Sequence, residues 1–184
     1  MAHQAEQEFC SLVKAMFPEY FSGVNVCDIG SLDINGNNHY LFSDYTYHGV
    51  DIGRGRNVNF ISKGHEFKPV GGVSKYDTVI STECFEHDMF WKETIQNIID
   101  NLVKPGGMFL FTCASTGRPE HGTPRTSPSD SPFTVQVGEW STYYQNLTEA
   151  DIKYAIDLDK YFKFYRFYVN TISCDLYFWG ILKD

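Results

Sequence analysis

Two acidic side chains in the first third of the chain have the spacing of a nucleoside-binding site. Asp28 lies in the short β-rich run Val24–Gly30, and Asp51 ends a second such run 23 residues later. An acid about 20 residues beyond the first turn can accept hydrogen bonds from a ribose diol in dinucleotide-binding folds. Gly30 can adopt a positive φ and lets a ligand approach the backbone closely. Each residue alone fits an ordinary strand end or turn, but together they predict a ligand cradle.

The residues after Gly30 argue against a ligand that contains phosphate. The pattern is not GxGxxG, because Leu32 and Asp33 follow the first glycine, so a pyrophosphate would meet bulk and negative charge. S-adenosylmethionine has no phosphate, and its ammonium and sulfonium groups suit an acidic cradle. We therefore interpret Val24–Gly36 with Asp51 as a cradle for S-adenosylmethionine rather than for NAD.

The apolar runs predict the elements that must position this cradle. Strand-like and helix-like segments alternate, which predicts an α/β fold with a Rossmann-like, doubly wound, mainly parallel sheet and helices on both faces. The five strands expected in this sheet are Val24–Gly30, Tyr47–Asp51, Asn57–Ile61, Tyr76–Ser81 and Met108–Ala114, the last after a break at 104–107. The expected helices are His3–Phe17, Phe90–Val103 and one that begins with Thr148 as N-cap and Asp151 as its capping-box acid.

The second half of the chain adds a long loop and an edge to the sheet. Ser115–Gly138 is rich in Ser, Thr, Pro and Gly, and a loop of that length is typical of a lid, a binding loop or a disordered segment. Phe162–Val169 and Ser173–Leu182 predict an antiparallel C-terminal strand pair at the sheet edge. With 184 residues, we expect residues 1–184 to form a single domain.

Composition restricts the partners. A net charge of −8 argues against nucleic acid and against a membrane surface. The sequence shows no secretory leader and no apolar run of about 18 residues, so we expect a cytoplasmic protein. The five cysteines have no CxxC spacing, and no Cys-His set has structural-zinc spacing, so no metal is expected. The many aromatic residues after position 140 suit a filled core or a homodimer face.

With these motifs, the chain resembles the class I S-adenosylmethionine-dependent methyltransferases, especially their small type 11 branch, over about residues 22–115. Val24–Gly30 is similar to the first motif of that family, and Lys63–Phe67 is similar to its Asp-Ala-His-Glu-Leu segment beside the adenine. Ile80–His87 resembles the motif after the fourth strand, and Val103–Leu110 resembles the Leu-Lys-Pro-Gly-Gly turn into the fifth.

The resemblance implies roles for individual residues. Asp28 would orient the turn or hold the methionine ammonium group through a water, and Gly30 would contact the methionine moiety. Asp51 would bind the ribose hydroxyls, and Ile52 would pack on the adenine ring. The full set of cofactor-binding residues expected from it is Asp28, Gly30, Ser31, Asp51, Ile52, Gly64, His65, Thr82 and Glu83.

Two positions depart from the family pattern. The second glycine of the first motif is missing, so residues 31–33 must form an altered turn. Lys63 stands where an acid usually receives the adenine amino group, and a lysine cannot accept that bond. A backbone carbonyl or Glu66 would then have to take this role.

The resemblance implies methyl transfer to a small-molecule or sugar acceptor. An O- or N-acceptor loses a proton, and the proton-accepting candidates are His87, His121 and Glu86, in that order. Glu86 and His87 alternatively begin a helix or shape the cofactor site. The competing functions are a catalytically inactive subunit that binds S-adenosylmethionine or scaffolds a partner, and an NAD-dependent oxidoreductase. The latter would need the missing GxGxxG and a Tyr-x-x-x-Lys pair.

Overall fold

A seven-stranded sheet forms the centre of the molecule, which a computed structural model describes for residues 4–184. The strand order is β3-β2-β1-β4-β5-β7-β6, and β1 to β5 run parallel, whereas β7 runs antiparallel to both of its neighbours. This arrangement confirms the expected fold class. The strands are β1 Asn25–Ile29, β2 Thr46–Asp51, β3 Phe60–Ile61, β4 Tyr76–Thr82, β5 Val103–Ala114, β6 Phe162–Asn170 and β7 Asp175–Leu182.

Four α-helices accompany the sheet among the described residues. They are α1 Gln4–Met16, α2 Trp91–Asn97, α3 Glu149–Ala155 and α4 Leu158–Tyr161, and a π-helical turn, Ile98–Leu102, continues α2. The predicted start of the first helix, His3, lies outside the described residues. The predicted capping box of α3 is present, because the Thr148 side chain accepts from the Asp151 N–H and the Asp151 carboxylate accepts from the Thr148 N–H at 2.9 Å. No helix within residues 4–184 is long and apolar enough to cross a membrane.

Helices pack on both faces of the sheet, and neighbouring residues of its central strands point to opposite faces. Val79 of β4 packs in a core with α2 and α3, whereas the next residue, Ile80, packs in a core with α1. Phe109 and Leu110 of β5 divide in the same way. A strand that is buried on both faces is therefore apolar nearly throughout, as Met108–Ala114 of β5 is.

Two elements differ from the sequence-based expectation. The preceding helical segment ends at Leu102, and the expected break at residues 104–107 lies within β5, which already begins at Val103. The register of β5 against β4 shifts between Tyr76 and Thr78. Gly106 has a φ of +69°, which accommodates this irregularity. The third strand is shorter than expected, since it includes only Phe60–Ile61, and Asn57, the first residue of the expected strand, has a left-handed φ of 70°.

The order of the strands determines where a ligand can bind. From β1 the chain moves outward to β2 and β3, and it then returns to place β4 on the other side of β1. Loops after β1 and β4 therefore diverge at the carboxyl ends of these strands, which is where ligands bind in open parallel sheets.

Candidate functional site

A cleft opens at the carboxyl ends of β1, β2 and β4. It contains about 910 Å³ of empty space, a volume that includes its mouth and the solvent in it. The cleft walls come from the loop after β1, the end of β2, the loop after β4 and the long loop after β5. The sequence-predicted residues that line it are Asp28, Gly30, Ser31, Asp51, Ile52, Gly64, Thr82, Glu83 and His87.

The turn after β1 closes without the second glycine of the family motif. Gly30 has a φ of +80°, and a Cβ there would lie 2.5 Å from Cys84 Sγ, so only glycine fits. The N–H groups of Gly30 and Ser31 both donate to the Val50 carbonyl, at 2.9 and 3.1 Å. Asp33 turns toward Arg56 in a 2.8 Å ion pair, which compensates its negative charge. The altered residues thus form an ordered turn.

Asp51 presents a partly buried carboxylate at the end of β2. Its two oxygens accept the backbone N–H of Leu32 at 3.1 Å and that of Ile52 at 2.7 Å. Burial raises the pKa of Asp51 to about 6, although these two N–H groups favour the ionised form. Each carboxylate oxygen accepts more than one hydrogen bond, so Asp51 retains capacity for the hydroxyl groups of a ligand.

Asp28 is a second buried carboxyl group at the cleft wall. Its Oδ2 accepts from the Tyr47 hydroxyl at 2.5 Å and from Asn38 Nδ2 at 2.9 Å. Oδ1 is buried and receives no hydrogen bond from the described residues. Burial raises the pKa of Asp28 to about 6. Because buried carboxylate oxygens are normally hydrogen-bonded, Oδ1 is available to a donor on a ligand.

The long loop after β5 covers part of the cleft. Residues 130–134 line it, and the ring of Phe133 lies against Gly53 and Gly55, where added Cβ atoms would come within 2.6 and 3.2 Å of the ring. Trp140 also lines the cleft, and its indole N–H donates to the His87 carbonyl. Of the alternatives for this loop, a covering segment matches its position.

Three predicted site residues lie outside the cleft lining, namely His65, Glu86 and His121. The His65 ring packs against Phe90, with ring centroids 4.5 Å apart. Lys63 also lies outside the lining, and its ammonium group pairs with Glu66 at 3.4 Å. The departure from the family pattern at Lys63 therefore concerns the rim of the site rather than its wall.

The three proton-acceptor candidates meet beside the cleft. Potential ligand atoms of Glu86, His87 and His121 lie within 4.8 Å of one another, and His87 also lines the cleft. Burial and the nearby charge of Glu83 raise the pKa of Glu86 to about 8. Burial lowers the pKa of both histidines, and at His87 the neighbouring His121 adds to this effect. Neutral imidazoles are therefore favoured at neutral pH.

Several lining residues were not singled out from the sequence. Asn38 donates to Asp28 and, at 3.1 Å, to the Thr82 hydroxyl, which links the walls formed by β1 and β4. Asp88 accepts from Thr94 Oγ1 at 2.6 Å and from the Phe90 N–H at 2.8 Å, which fixes the start of α2. The acid shortly before α2 is a helix-start signal that could have been read from the sequence. The position of Phe133 had no such signal.

Comparisons with known proteins agree with this geometry. A family profile described as "Methyltransferase domain" matches residues 1–145, whereas a search of curated proteins found no significant match. A Burkholderia thailandensis 1,6-didemethyltoxoflavin-N1-methyltransferase, solved with S-adenosylhomocysteine, is similar at a TM-score of 0.62 and 12% identity, over 97% of this chain and 78% of that one.

Two further structures extend the likeness. For Haemonchus contortus phosphoethanolamine N-methyltransferase 2 with S-adenosyl-L-methionine, the TM-score is 0.63 at 16% identity, over 96% of this chain and 52% of that one. For the N-methyltransferase NodS of Bradyrhizobium japonicum with S-adenosyl-l-homocysteine, it is 0.55 at 12% identity, over 97% and 87%. These identities establish the fold alone, and the profile match establishes the family. The chain belongs to the methyltransferase-domain family.

Proposed function

We propose that the chain binds S-adenosylmethionine in the cleft and transfers its methyl group to a small-molecule or sugar acceptor. The observation that carries this proposal is the Asp51 carboxylate, which lies in the cleft wall with its oxygens oriented by the Leu32 and Ile52 N–H groups. A carboxylate held at this position of a doubly wound sheet is suited to a ribose diol.

The polar groups of the cleft fit the cofactor chemically. Asp28 Oδ1 is buried and receives no hydrogen bond from the residues that the structure describes. It is therefore suited to a bound water or to the ammonium group of a methionine moiety. The Gly30 and Ser31 N–H groups hold the turn after β1 against β2 by donating to the Val50 carbonyl. Ile52 provides an apolar surface for the adenine base. When bound, S-adenosylmethionine supplies an activated methyl group on a sulfonium, so the protein has only to orient the reactants and exclude water.

The acceptor is proposed to enter at the side of the cleft where His87 and Trp140 lie. The loop around Phe133 would cover the reactants, in agreement with its contact to Gly53 and Gly55. Glu86, His87 and His121 would act on the acceptor group as the proton-accepting candidates, either directly or through a species that they bind. The acidic net charge supports a small acceptor over a nucleic acid.

The second candidate is a catalytically inactive subunit that binds the cofactor or scaffolds a partner. Its support is the departure from the family pattern at the turn after Gly30 and at Lys63. It predicts cofactor binding without transfer to any of a panel of hydroxyl, carboxylate and amine acceptors. Methyl transfer to any member of that panel, measured with radiolabelled cofactor, would reject it.

Calorimetry with S-adenosylmethionine, S-adenosylhomocysteine and NAD tests the cofactor. We expect the first two to bind and NAD not to bind, and a failure of both at millimolar concentration would reject the proposed function.

The Asp51→Asn substitution tests the ribose contact. Hydrogen bonds to a charged group contribute about 1.5–3 kcal/mol, so the dissociation constant should rise about tenfold or more. The matched control is Asp44→Asn, because Asp44 is exposed and outside the cleft lining. An unchanged affinity of the Asp51→Asn protein would contradict the ribose role.

A further inference from the structure

A buried cluster beside the cleft has more polar atoms than hydrogen-bond partners. Glu86, His87 and His121 are 0%, 5% and 9% exposed, and they come from the loop after β4 and from the long loop after β5. Among the described residues, no hydrogen-bond partner is found for either His87 ring nitrogen or for His121 Nε2. The backbone N–H groups of Glu86 and Ala114 approach the Glu86 carboxylate, but neither forms a well-aligned hydrogen bond with its two oxygens. Because buried polar atoms are nearly always satisfied, five such atoms in one place indicate a bound species.

The tautomer of His121 shows what kind of species fits. His121 Nδ1 lies 3.1 Å from the carbonyl oxygen of Pro119. A carbonyl can only accept, so Nδ1 carries the proton and donates it, which leaves an unprotonated lone pair on the buried Nε2. Metal-bound histidines are oriented in this way, with one ring N–H donated to a backbone carbonyl.

We infer that Glu86, His87 and His121 bind a divalent first-row transition metal ion. Two imidazoles with one carboxylate are the protein ligands of several catalytic metal centres, and imidazole favours ions such as Zn²⁺ and Co²⁺ over Mg²⁺ and Ca²⁺. The sequence identifies the same three residues as proton-acceptor candidates but predicts no metal, because the third ligand comes from a distant loop and the spacing is not that of a structural zinc site.

The distances agree with a site that contracts around the ion. In a tetrahedral site, two ligand atoms that each lie about 2.1 Å from the metal are about 3.4 Å apart. The ligand atoms of the cluster lie within 4.8 Å of one another, so side-chain rotations that move each atom by up to about 0.7 Å would bring them to the ion. The Arg118 charge acts on both histidines, but its guanidinium pairs with the buried Asp175 at 3.2 Å. Glu83 adds negative charge next to Glu86.

The location of the cluster suggests what the ion would do. His87 lines the cleft, and Glu86 and His121 lie close to it outside the lining, so the ion would sit at the cleft wall. Three protein ligands leave a coordination position open, as in catalytic zinc sites. This role of the ion rests on the proposed function. It restricts the methyl acceptor to a small molecule that offers a hydroxyl or carboxylate oxygen to the ion.

Titration of the tag-free, metal-stripped protein with Co²⁺ tests the site without an activity assay. We expect one equivalent of Co²⁺ per chain, visible absorption bands, displacement by Zn²⁺, and no displacement by Mg²⁺ at equal concentration. His121→Asn and Glu86→Gln should each weaken Co²⁺ binding by about tenfold or more. His48→Asn is the matched control, because His48 lies on β2 and contacts Tyr76 at 2.9 Å rather than the cluster.

A second measurement on the unaltered protein keeps the inference falsifiable if a variant does not fold. X-ray absorption of the Co²⁺-loaded chain should show imidazole ligands, and a shell of water and carboxylate oxygens alone would overturn the site. So would the absence of stoichiometric binding, or equal affinity in the His121→Asn and unaltered chains. Calorimetry with S-adenosylhomocysteine in the presence of a chelator separates the two proposals. Cofactor binding without Co²⁺ binding rejects only the metal site, and Co²⁺ binding without cofactor binding rejects only the proposed function.

Discussion

At the scale of single residues, the site depends on acids whose ionisation is made costly by burial. Asp28 and Asp51 line the cleft, and burial raises the pKa of each to about 6. Both positions follow from the sequence, because each is an acid at the carboxyl end of an apolar run. Their pKa shifts do not, because the burial that causes them depends on residues far along the chain.

These shifts predict a pH dependence of cofactor binding. In the proposed role, the ionised form of Asp51 accepts hydrogen bonds from the ribose, so affinity for S-adenosylhomocysteine should be constant above pH 7 and fall as pH decreases through about 6. Below that value the dissociation constant should rise up to about tenfold for each pH unit that Asp51 titrates. Calorimetry between pH 5 and 8 measures this change.

The control for the pH dependence is the Asp51→Asn chain, which cannot titrate at that position. Its affinity should be lower at pH 8 and should change less between pH 8 and 5, with Asp28 as the remaining acid. A dissociation constant of the unaltered chain that stays constant down to pH 5 would contradict the role of both carboxylates.

At the scale of elements, the turn after β1 depends on the absence of a side chain at Gly30. Gly30 and Gly72 have nearly the same φ, +80° and +82°, but a Cβ at Gly30 would lie 2.5 Å from Cys84 Sγ, whereas Gly72 has open space around it. Gly72→Ala should cost only the strain of a positive φ, about 1 kcal/mol. Gly30→Ala should cost about 1–3 kcal/mol more because it also overpacks the turn.

Urea unfolding of the two glycine variants measures this difference, and calorimetry should show weaker cofactor binding for Gly30→Ala alone. Equal free energies of unfolding in the two variants would mean that Cys84 moves away at little cost. The close approach at Gly30 would then not constrain the turn.

The covering loop after β5 gives a second prediction at this scale. Truncation in Phe133→Ala removes the ring that packs on Gly53 and Gly55, which should expose the cofactor side of the cleft and raise the dissociation constant of S-adenosylhomocysteine several-fold. Val137→Ala, in the same loop but outside the cleft lining and 39% exposed, should bind as the unaltered chain does. If the two variants bind equally, the loop does not cover the cofactor.

The same elements show what the sequence could and could not predict. Regular segments such as β4 and β5 were predictable because each is a short apolar run between residues that favour turns. The position of Phe133 was not, because loop residues follow no period and the ring contacts glycines that lie about 80 residues earlier. The sequence identifies His121 as a candidate, but for the same reason it does not predict that His121 lies close to Glu86 and His87.

At the scale of the whole molecule, the C-terminal strand connects the parallel sheet to its antiparallel edge. β7 lies between β5 and β6, and every residue of β7 is buried. Phe178 is fully buried and packs on Phe111 of β5 and Phe167 of β6, with ring centroids 5.0 and 4.8 Å apart. The end of the chain is therefore part of the core that supports β5 and the loop after it.

Phe178→Ala should consequently destabilise the whole molecule, by about 3–5 kcal/mol in the free energy of unfolding. Phe164→Ala, on the same strand pair but 59% exposed, should cost less than about 1 kcal/mol. Urea unfolding followed by circular dichroism measures both, and S-adenosylhomocysteine at 100 times its dissociation constant should restore about 2.7 kcal/mol to either variant that still binds it. Because unfolding of the edge alone would leave β1, β2 and β4 intact, a Phe178→Ala chain that loses the edge but keeps full cofactor affinity would show that the cleft folds independently of β7.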